Sequence, residues 1–268
     1  MNALKLNKYK SEETVKVLAA VMNISTETFS NIILNMSDTD VISQVNAMLS
    51  YIGPIIDENK GRITQVSENG IVAVFELGCE NAVKCAITIC QRMVGSGKES
   101  ESFKDLSVGI NFGLVCTSSV GYGDFRMPMT ISEGTNIARQ LSYAAHKYNS
   151  RILISESVAS HIADINGRYS IRRLGNIYIS NDEKSECVYD VYDGDLIDEK
   201  NRKRRSKLFF ETGVDLFLQG NHLQARSYFI ELIKSNRDDR AAKQYLFLCD
   251  RCMSEDVDEI HKKNIEVW

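Results

Sequence analysis

The stretch Lys60 to Phe75, KGRITQVSENGIVAVF, decides how the rest of the chain is interpreted. Two β-rich runs flank Asn69-Gly70, and both of these residues tolerate the positive φ angles that a tight type I′ turn requires. The pattern therefore predicts a β-hairpin whose second strand, residues 72–75, is entirely apolar. A hairpin of this kind presents its turn residues at a fixed place in the fold.

The composition is that of a globular protein with one full core and a small second unit. The chain has 268 residues, of which 43% are hydrophobic and 25% charged, and its net charge is −4. This charge creates no basic field, so neither nucleic acid nor an anionic membrane is predicted as an obligate partner. No apolar run approaches the roughly 20 residues of a membrane span, and the first 14 residues are mostly polar. We therefore expect no membrane span and a cytoplasmic location.

The order of strand and helix patterns predicts an α+β fold. Residues 15–24 form a nearly continuous apolar run, which is typical of a strand buried at the centre of a sheet. After Asp38-Thr39-Asp40, which is typical of a helix start, apolar residues recur at helical spacing, with Gly53-Pro54 as an interruption. Apolar residues recur at the same spacing over 79–94, which predicts a second amphipathic helix. Further strands are predicted over 106–113, 114–121, 129–131, 151–154, 169–179 and 187–192, and helices over 133–146 and from residue 156. The alternation is not regular βαβ, which favours a mostly antiparallel sheet with helices on its face.

The first 195 residues resemble the class III adenylate/guanylate cyclase homology domain. The hairpin resembles the family pattern G-G-x-x-D-K-F-x-G-D-x-x-M-A-V-F in length and in its final V-A-V-F. Five further segments resemble family blocks in the right order, namely Val15 to Leu18, Gly109 to Gly113, Thr130 to Leu141, Arg151 to Ser155, and Leu174-Gly175-Asn176 with Val188 to Tyr192. The resemblance implies the ferredoxin-like class III cyclase fold for domain 1–195.

The resemblance also implies a metal site that this chain lacks. Family members hold two magnesium ions between one aspartate on the first strand and one at the hairpin turn. The matching residues here are Val21, which has no ligand atom, and Asn69, which has one neutral carbonyl oxygen. Residues 14–26 contain no Asp or Glu that could substitute. We therefore expect no metal and no cofactor by the family's route, and Mg or Mn only if the chain is an active cyclase.

The other nucleotide-site positions implied by the resemblance are also altered. Gln65 and Met129 match the lysine and the aspartate or threonine that read the base in ATP-using members. On the helix that stabilises the transition state, Asn136 matches the family asparagine, but Gln140 stands in place of the arginine. Arg139 is predicted to point about 100° around the helix from that position. Asn136 is thus the one vestige of the catalytic set.

The composition changes after residue 195. Residues 196–205 are mostly charged and are interpreted as a linker or as the solvated start of a helix. Residues 206–268 resemble one tetratricopeptide (TPR) repeat with a capping helix: Gly213 and Ala225 would let two helices approach closely, Gly220-Asn221 would form the turn, and Arg237 replaces the usual proline. A single repeat cannot bury its own face, so we expect it to pack on the cyclase-like domain or on a partner.

Three functions remain open from the sequence. The first is a catalytically inactive pseudo-cyclase, which pairs as a homodimer or with another cyclase-like chain, because family domains pair head to tail, and binds a protein partner through its helical tail in a signalling role. The second is a divergent active cyclase that uses other acids, such as Glu68 or Glu133. The third is a nucleotide sensor that binds ATP or GTP without turnover.

Overall fold

The computed structural model describes residues 14–26, 38–67, 70–95, 106–122, 125–179 and 184–254. Its strands are β1 (Val15–Thr26), β2 (Arg62–Ser67), β3 (Gly70–Phe75), β4 (Leu106–Tyr122), β5 (Phe125–Ile131), β6 (Ile152–Ser155), β7 (Ile171–Ile179) and β8 (Lys184–Val191). Its helices are α1 (Asp38–Glu58), α2 (Cys79–Gly95), α3 (Glu133–Tyr148), α4 (Glu156–Ser160), α5 (Ile165–Arg168), α6 (Ile197–Leu218), α7 (His222–Ser235) and α8 (Arg240–Ser254). The predicted α+β class is confirmed.

The strands form one open sheet in the order β2-β3-β1-β4-β6-β8-β7, with β5 paired to β4. The β4–β6 pair is parallel, and the other pairs are antiparallel. Strand β1 lies between β3 and β4, and its residues 19–26 are all buried. The prediction that this apolar run forms a central strand is confirmed.

The hairpin of β2 and β3 is present, and Gly70 explains its position against β1. The two strands pair antiparallel, with Ser67 opposite Gly70. Gly70 has a φ of 112°, and a Cβ atom there would lie 2.2 Å from the carbonyl oxygen of Ile24 on β1. Only glycine fits this conformation and this close approach. The turn residues Glu68 and Asn69 lie outside the described residues.

The predicted boundary between two strands at residues 113 and 114 was wrong, because tertiary pairing overrides the local signal. The predicted strands 106–113 and 114–121 are one strand, β4, which pairs with β1 over residues 106–117 and with β5 over residues 116–122. Because the pairing with β1 is continuous across Gly113, β4 does not end at that residue. The helical spacing predicted on both sides of Gly53-Pro54 agrees with the structure, where α1 continues through these two residues and buries Ile52 and Ile55 in the core.

Helices cover both faces of the sheet. Side chains alternate along β1, so Met22 and Ile24 pack in a core with α1 and α2, whereas Val21 packs in a separate apolar cluster with Ala138 of α3. Helix α3 therefore lies on the face opposite to α1 and α2. This helix carries Asn136 and Gln140, which the resemblance matches to the family's transition-state positions.

The charged stretch is helical, and the tail packs on the sheet domain. Residues 197–205 form the first turns of α6, so of the two interpretations of this stretch the structure shows the helix. Tail residues Phe210 and Tyr245 share one apolar cluster with Leu141 and Tyr148 of α3. The Tyr245 hydroxyl also donates a hydrogen bond of 2.6 Å to the carbonyl oxygen of Leu174 on β7. The tail and the sheet thus have a continuous core.

Candidate functional site

Val21, which the resemblance matches to the family's first metal ligand, lies in apolar core. It is 0% exposed and stands opposite Val74 on β3 and Asn111 on β4. The cluster around it consists of Ala19, Val72, Val74, Val115 and Ala138, with Val17 packed at its border. These side chains have no atom that can coordinate a hard cation. A carboxylate at this position would have to be buried among aliphatic groups.

The polar residue opposite Val21 is already bonded within the protein. The Asn111 Oδ1 atom accepts a hydrogen bond of 3.1 Å from the hydroxyl of Ser157, at the start of α4. A Cβ atom on Gly134 would lie 2.9 Å from Asn111 Nδ2, so the amide fits closely under the first turn of α3. Asn111 therefore links β4 to the start of α4 and lies close beneath the first turn of α3.

A second polar cluster fastens α3 to the sheet, and the sequence analysis missed it. The Asn23 side chain donates a hydrogen bond of 2.7 Å from Nδ2 to Ser142 Oγ. The Ser107 hydroxyl lies 2.7 Å from His146 Nε2 and donates to the Ser142 carbonyl oxygen at 2.8 Å. The available signal was the presence of Asn23 and Ser25 within an otherwise apolar strand, since buried polar side chains need partners.

On α3, the two transition-state positions are in different environments. Ser132 caps the helix by accepting a hydrogen bond from the Thr135 amide at 3.0 Å. Asn136 is half-buried, and its Oδ1 accepts a hydrogen bond of 2.6 Å from Arg139 Nη2. Among the described residues, the buried Gln140 Oε1 atom has no hydrogen-bond partner. Although Arg139 is rotated around the helix from residue 140, its long side chain reaches back one turn to Asn136.

The two predicted base-reading positions lie on β2 and β5, which are not paired with each other in the described sheet. Gln65 is exposed on β2, opposite Val72, and Met129 is half-buried on β5, opposite Ser118. Strands β2 and β5 contact each other. The methionine side chain has neither a hydrogen-bond donor nor a strong acceptor, so the pair cannot make the two directional contacts of a lysine and an aspartate.

The residues of the described chain do not fit a divalent-metal site. Glu133 is exposed at the start of α3, while Glu68 and Asn69 lie outside the described residues. Within the described ranges, no three His, Cys, Asp or Glu side chains come together as metal ligands. Two divalent ions need several negatively charged oxygen ligands. We therefore derive no reaction step through a metal for this chain.

A buried ionic cluster joins the sheet to the tail, and it too was missed. Arg172 on β7 bonds Asp190 on β8 at 3.0 Å and Asp239, before α8, at 3.1 Å. The Lys203 ammonium on α6 lies 2.9 Å from the Asp190 carboxylate and 2.7 Å from that of Asp195. We refer to these five residues as the ionic cluster. It contains three carboxylates and two cations, so it has one excess negative charge when all groups are ionised.

The pKa values in the ionic cluster reflect this imbalance. Burial raises the pKa of Asp195 to about 6, and the attraction of Lys203 only partly opposes this effect. Burial also raises the pKa of Asp239, but the nearby Arg172 guanidinium outweighs burial, so the net pKa is lowered. For Lys203, burial lowers the pKa, yet Asp190 and Asp195 raise it above its usual value. The raised pKa of Asp195 means that this carboxyl takes up a proton at a higher pH in the folded protein than an exposed aspartate does.

Comparison with known proteins relates the chain to nucleotide cyclases. It is 25% identical over 217 residues to an adenylate cyclase specific to terminal differentiation from Dictyostelium discoideum, covering 78% of this chain and 10% of that protein. It is also 25% identical over 166 residues to an adenylate cyclase from Anabaena cylindrica, covering 58% and 33% of the two chains. The match thus spans a tenth to a third of these relatives. No protein-family model matches the chain.

Solved structures show the same fold. A bacterial light-regulated adenylyl cyclase superposes with a TM-score of 0.60 at 16% identity over 74% of this chain and 59% of that one. The non-canonical dimeric guanylyl cyclase domain of a fusion protein from Blastocladiella emersonii superposes with a TM-score of 0.52 at 16% identity, over 67% of this chain and 98% of that one. The predicted cyclase fold is therefore confirmed for the sheet domain. Over the described residues, no helix has the length and hydropathy to cross a membrane.

Proposed function

We propose that this chain is a cyclase-like protein that forms no cyclic nucleotide itself and acts in signalling by pairing with a second cyclase-like chain. The observation that carries the proposal is the complete burial of Val21 in an aliphatic cluster. Cyclisation requires deprotonation of the ribose 3′-hydroxyl and neutralisation of the pyrophosphate leaving group, and a two-metal site supplies both. An aliphatic cluster supplies neither.

An exposed apolar strip supports the pairing. Leu18 on β1 is 60% exposed and stands opposite Leu114 on β4, which is 59% exposed. Ile131 on β5 is 65% exposed and stands opposite Cys116, the next residue of β4 on the same side. Contiguous apolar side chains on a surface are typical of protein contacts. A second copy of this chain and an intact cyclase are both suitable partners for this strip.

In such a pair, this chain would be a poor donor of transition-state groups. Gln140 stands where the family has a cationic guanidinium and offers only a neutral amide in its place. Stabilisation of a pentacovalent phosphate needs donors directed at the developing negative charge. The chain would therefore influence its partner through the contact surface, with the helical tail available for a further protein.

The absence of catalysis is tested by product analysis. The purified protein is incubated with ATP or GTP and with Mg²⁺ or Mn²⁺, and cyclic nucleotide is sought by mass spectrometry beside an active cyclase as positive control. We expect no product. Product that disappears in Glu68→Ala or Glu133→Ala would instead establish the divergent cyclase, and an increase in melting temperature with nucleotide but no product would favour the sensor.

The pairing is tested separately by measuring the molecular mass of the particles in solution, first for this protein alone and then for its mixture with an intact cyclase. We expect a dimer that Leu18→Arg with Leu114→Arg dissociates, because the two added charges lie in the apolar strip. Leu77→Arg is the matched control, since Leu77 is 71% exposed outside the strip. A monomer in both experiments, or equal dissociation by the control, would contradict the pairing.

A further inference from the structure

Helix α6 carries a run of cations with no acid among them. Within residues 200–207 the cations are Lys200, Arg202, Lys203, Arg204, Arg205 and Lys207. All three lysines are bound to the body of the protein: Lys200 to Asp193 at 2.5 Å, Lys203 to Asp190 and Asp195, and Lys207 to Asn166 at 3.0 Å. The lysines thus hold α6 in place.

The arginines of the same run have no such role. Among the described residues, the side chains of Arg202 and Arg205 have no ion-pair or hydrogen-bond partner, and Arg204 donates only to Asn201 Oδ1 within the helix, at 2.9 Å. All three arginines are exposed. Arginine is the cation best suited to bind carboxylate and phosphate groups in two-point contacts. Here the lysines make the internal ion pairs, and the arginines remain available at the surface.

Two exposed aliphatic residues flank the arginines on one side of the helix. Ile197 is 68% exposed and Leu208 is 79% exposed. They are separated by about three helical turns, or about 16 Å, and so lie on the same side, with Arg204 and Arg205 between them. The opposite side is buried through residues such as Phe210. We call the surface formed by Ile197, Asn201, Arg204, Arg205 and Leu208 the outer face of α6.

We propose that the outer face of α6 binds an anionic lipid surface. The guanidinium groups of Arg204 and Arg205 would pair with headgroup phosphates and carboxylates, and Ile197 and Leu208 would enter the apolar boundary beneath them. A nucleic acid would neutralise the arginines but leave both aliphatic side chains in water. The outer face presents its charged and aliphatic side chains along about three turns of one helix, so they can meet a planar surface together. The attraction comes from the arginines of α6 alone, so it does not require a positive net charge, and the chain has a net charge of −4. It also does not require pairing with a second chain.

Vesicle sedimentation tests this proposal with the full chain. We expect binding to phosphatidylcholine vesicles that contain phosphatidylserine, no binding to phosphatidylcholine alone, and weaker binding at higher salt. Arg204→Glu with Arg205→Glu should reduce binding by at least about tenfold, because two attractive charges become repulsive. The control, Lys234→Glu with Lys243→Glu on α7 and α8, makes the same change in net charge elsewhere and should retain binding.

The aliphatic residues distinguish a membrane from other polyanions. Leu208→Gln and Ile197→Gln keep every charge, and we expect each to weaken vesicle binding several-fold. Because all the substituted side chains are exposed, each variant should melt at the temperature of the unsubstituted protein. The proposal is overturned if the unsubstituted protein ignores anionic vesicles or if the control pair abolishes binding equally. It is also overturned if a DNA duplex binds as tightly as the vesicles while Leu208→Gln has no effect.

Discussion

The guanidinium of Arg172 lies 3.1 Å from the carboxylate of Asp239, although the two residues are 67 positions apart in the chain. Arg172 belongs to the sheet and Asp239 begins the last described helix of the tail, where its other oxygen accepts a hydrogen bond from the Ala242 amide. Arg172 also lies over the Phe210 ring of α6, 4.4 Å from its centroid. One side chain thus connects the sheet to two tail helices.

Replacing Arg172 by methionine should destabilise the protein strongly. The substitution leaves Asp190 and Asp239 buried with fewer positive partners, and breaking a buried pair from one side typically costs about 3–5 kcal/mol. Urea unfolding measures the loss. Arg62→Met is the control, because Arg62 pairs with Glu76 at the surface and should cost less than about 1 kcal/mol. Similar losses for the two variants would show that the buried pair is no stronger than a surface one.

Protonation of Asp195 should make the protein more stable as the pH falls from 7 to 5. Its folded pKa of about 6 lies above the usual 3.8, so this carboxyl favours the folded state when protonated. The stabilisation is complete below the unfolded pKa and disappears as the pH rises through 6. Asp195→Asn, which leaves two carboxylates and two cations in the ionic cluster, should gain about 2 kcal/mol at pH 7 and little at pH 4.

Melting curves between pH 4 and 7.5 test this pH dependence. The difference in melting temperature between the unsubstituted protein and Asp195→Asn at each pH separates the contribution of this carboxyl from that of other groups. Asp198→Asn is a suitable control, because Asp198 is exposed nearby on α6. If Asp195→Asn and the unsubstituted protein show parallel pH profiles, Asp195 does not titrate in this range.

Introducing the family's acid at Val21 should damage the fold without creating a metal site. Val21→Asp places a carboxyl among aliphatic side chains, so we expect a loss of at least about 3 kcal/mol and a raised pKa for the new carboxyl. Val21→Ala should cost about 1–2 kcal/mol by loss of packing. Unfolding is measured with and without Mn²⁺, and recovery of stability by Mn²⁺ in the aspartate variant alone would reveal a latent metal site.

Removing the Tyr245 hydroxyl should loosen the tail by a smaller amount. Tyr245→Phe keeps the ring stacked on Phe229, with centroids 4.8 Å apart, but leaves the carbonyl oxygen of Leu174 without its buried donor. We expect a cost of about 1–2 kcal/mol in thermal or urea unfolding. Tyr228→Phe is the matched control, since Tyr228 is only half-buried and its ring packs beside Phe209. An unchanged stability in Tyr245→Phe would exclude a contribution from this hydrogen bond.

Local patterns predicted the elements that local rules govern. The hairpin with Gly70 at the start of its second strand is predicted by the residues that favour a tight turn. The central strand around Val21 is predicted by a continuous apolar run. The ionic cluster could not be predicted, because Arg172 has partners 18 and 67 residues away. The hydrogen bond from Arg139 to Asn136 was also missed, because it depends on the conformation of a long side chain. Asn69 lies outside the described residues, so its role stays a prediction.

The continuous core of sheet and tail has a consequence for cooperativity. Leu141 and Tyr148 of α3 are buried in one cluster with Phe210 and Tyr245 of the tail, so detaching the tail exposes apolar surface on both sides. We expect the described sheet domain and tail to unfold in a single transition. A fragment ending at residue 195 would then expose this surface and aggregate. A protein that binds the tail would alter the folding free energy of the helix that carries Asn136.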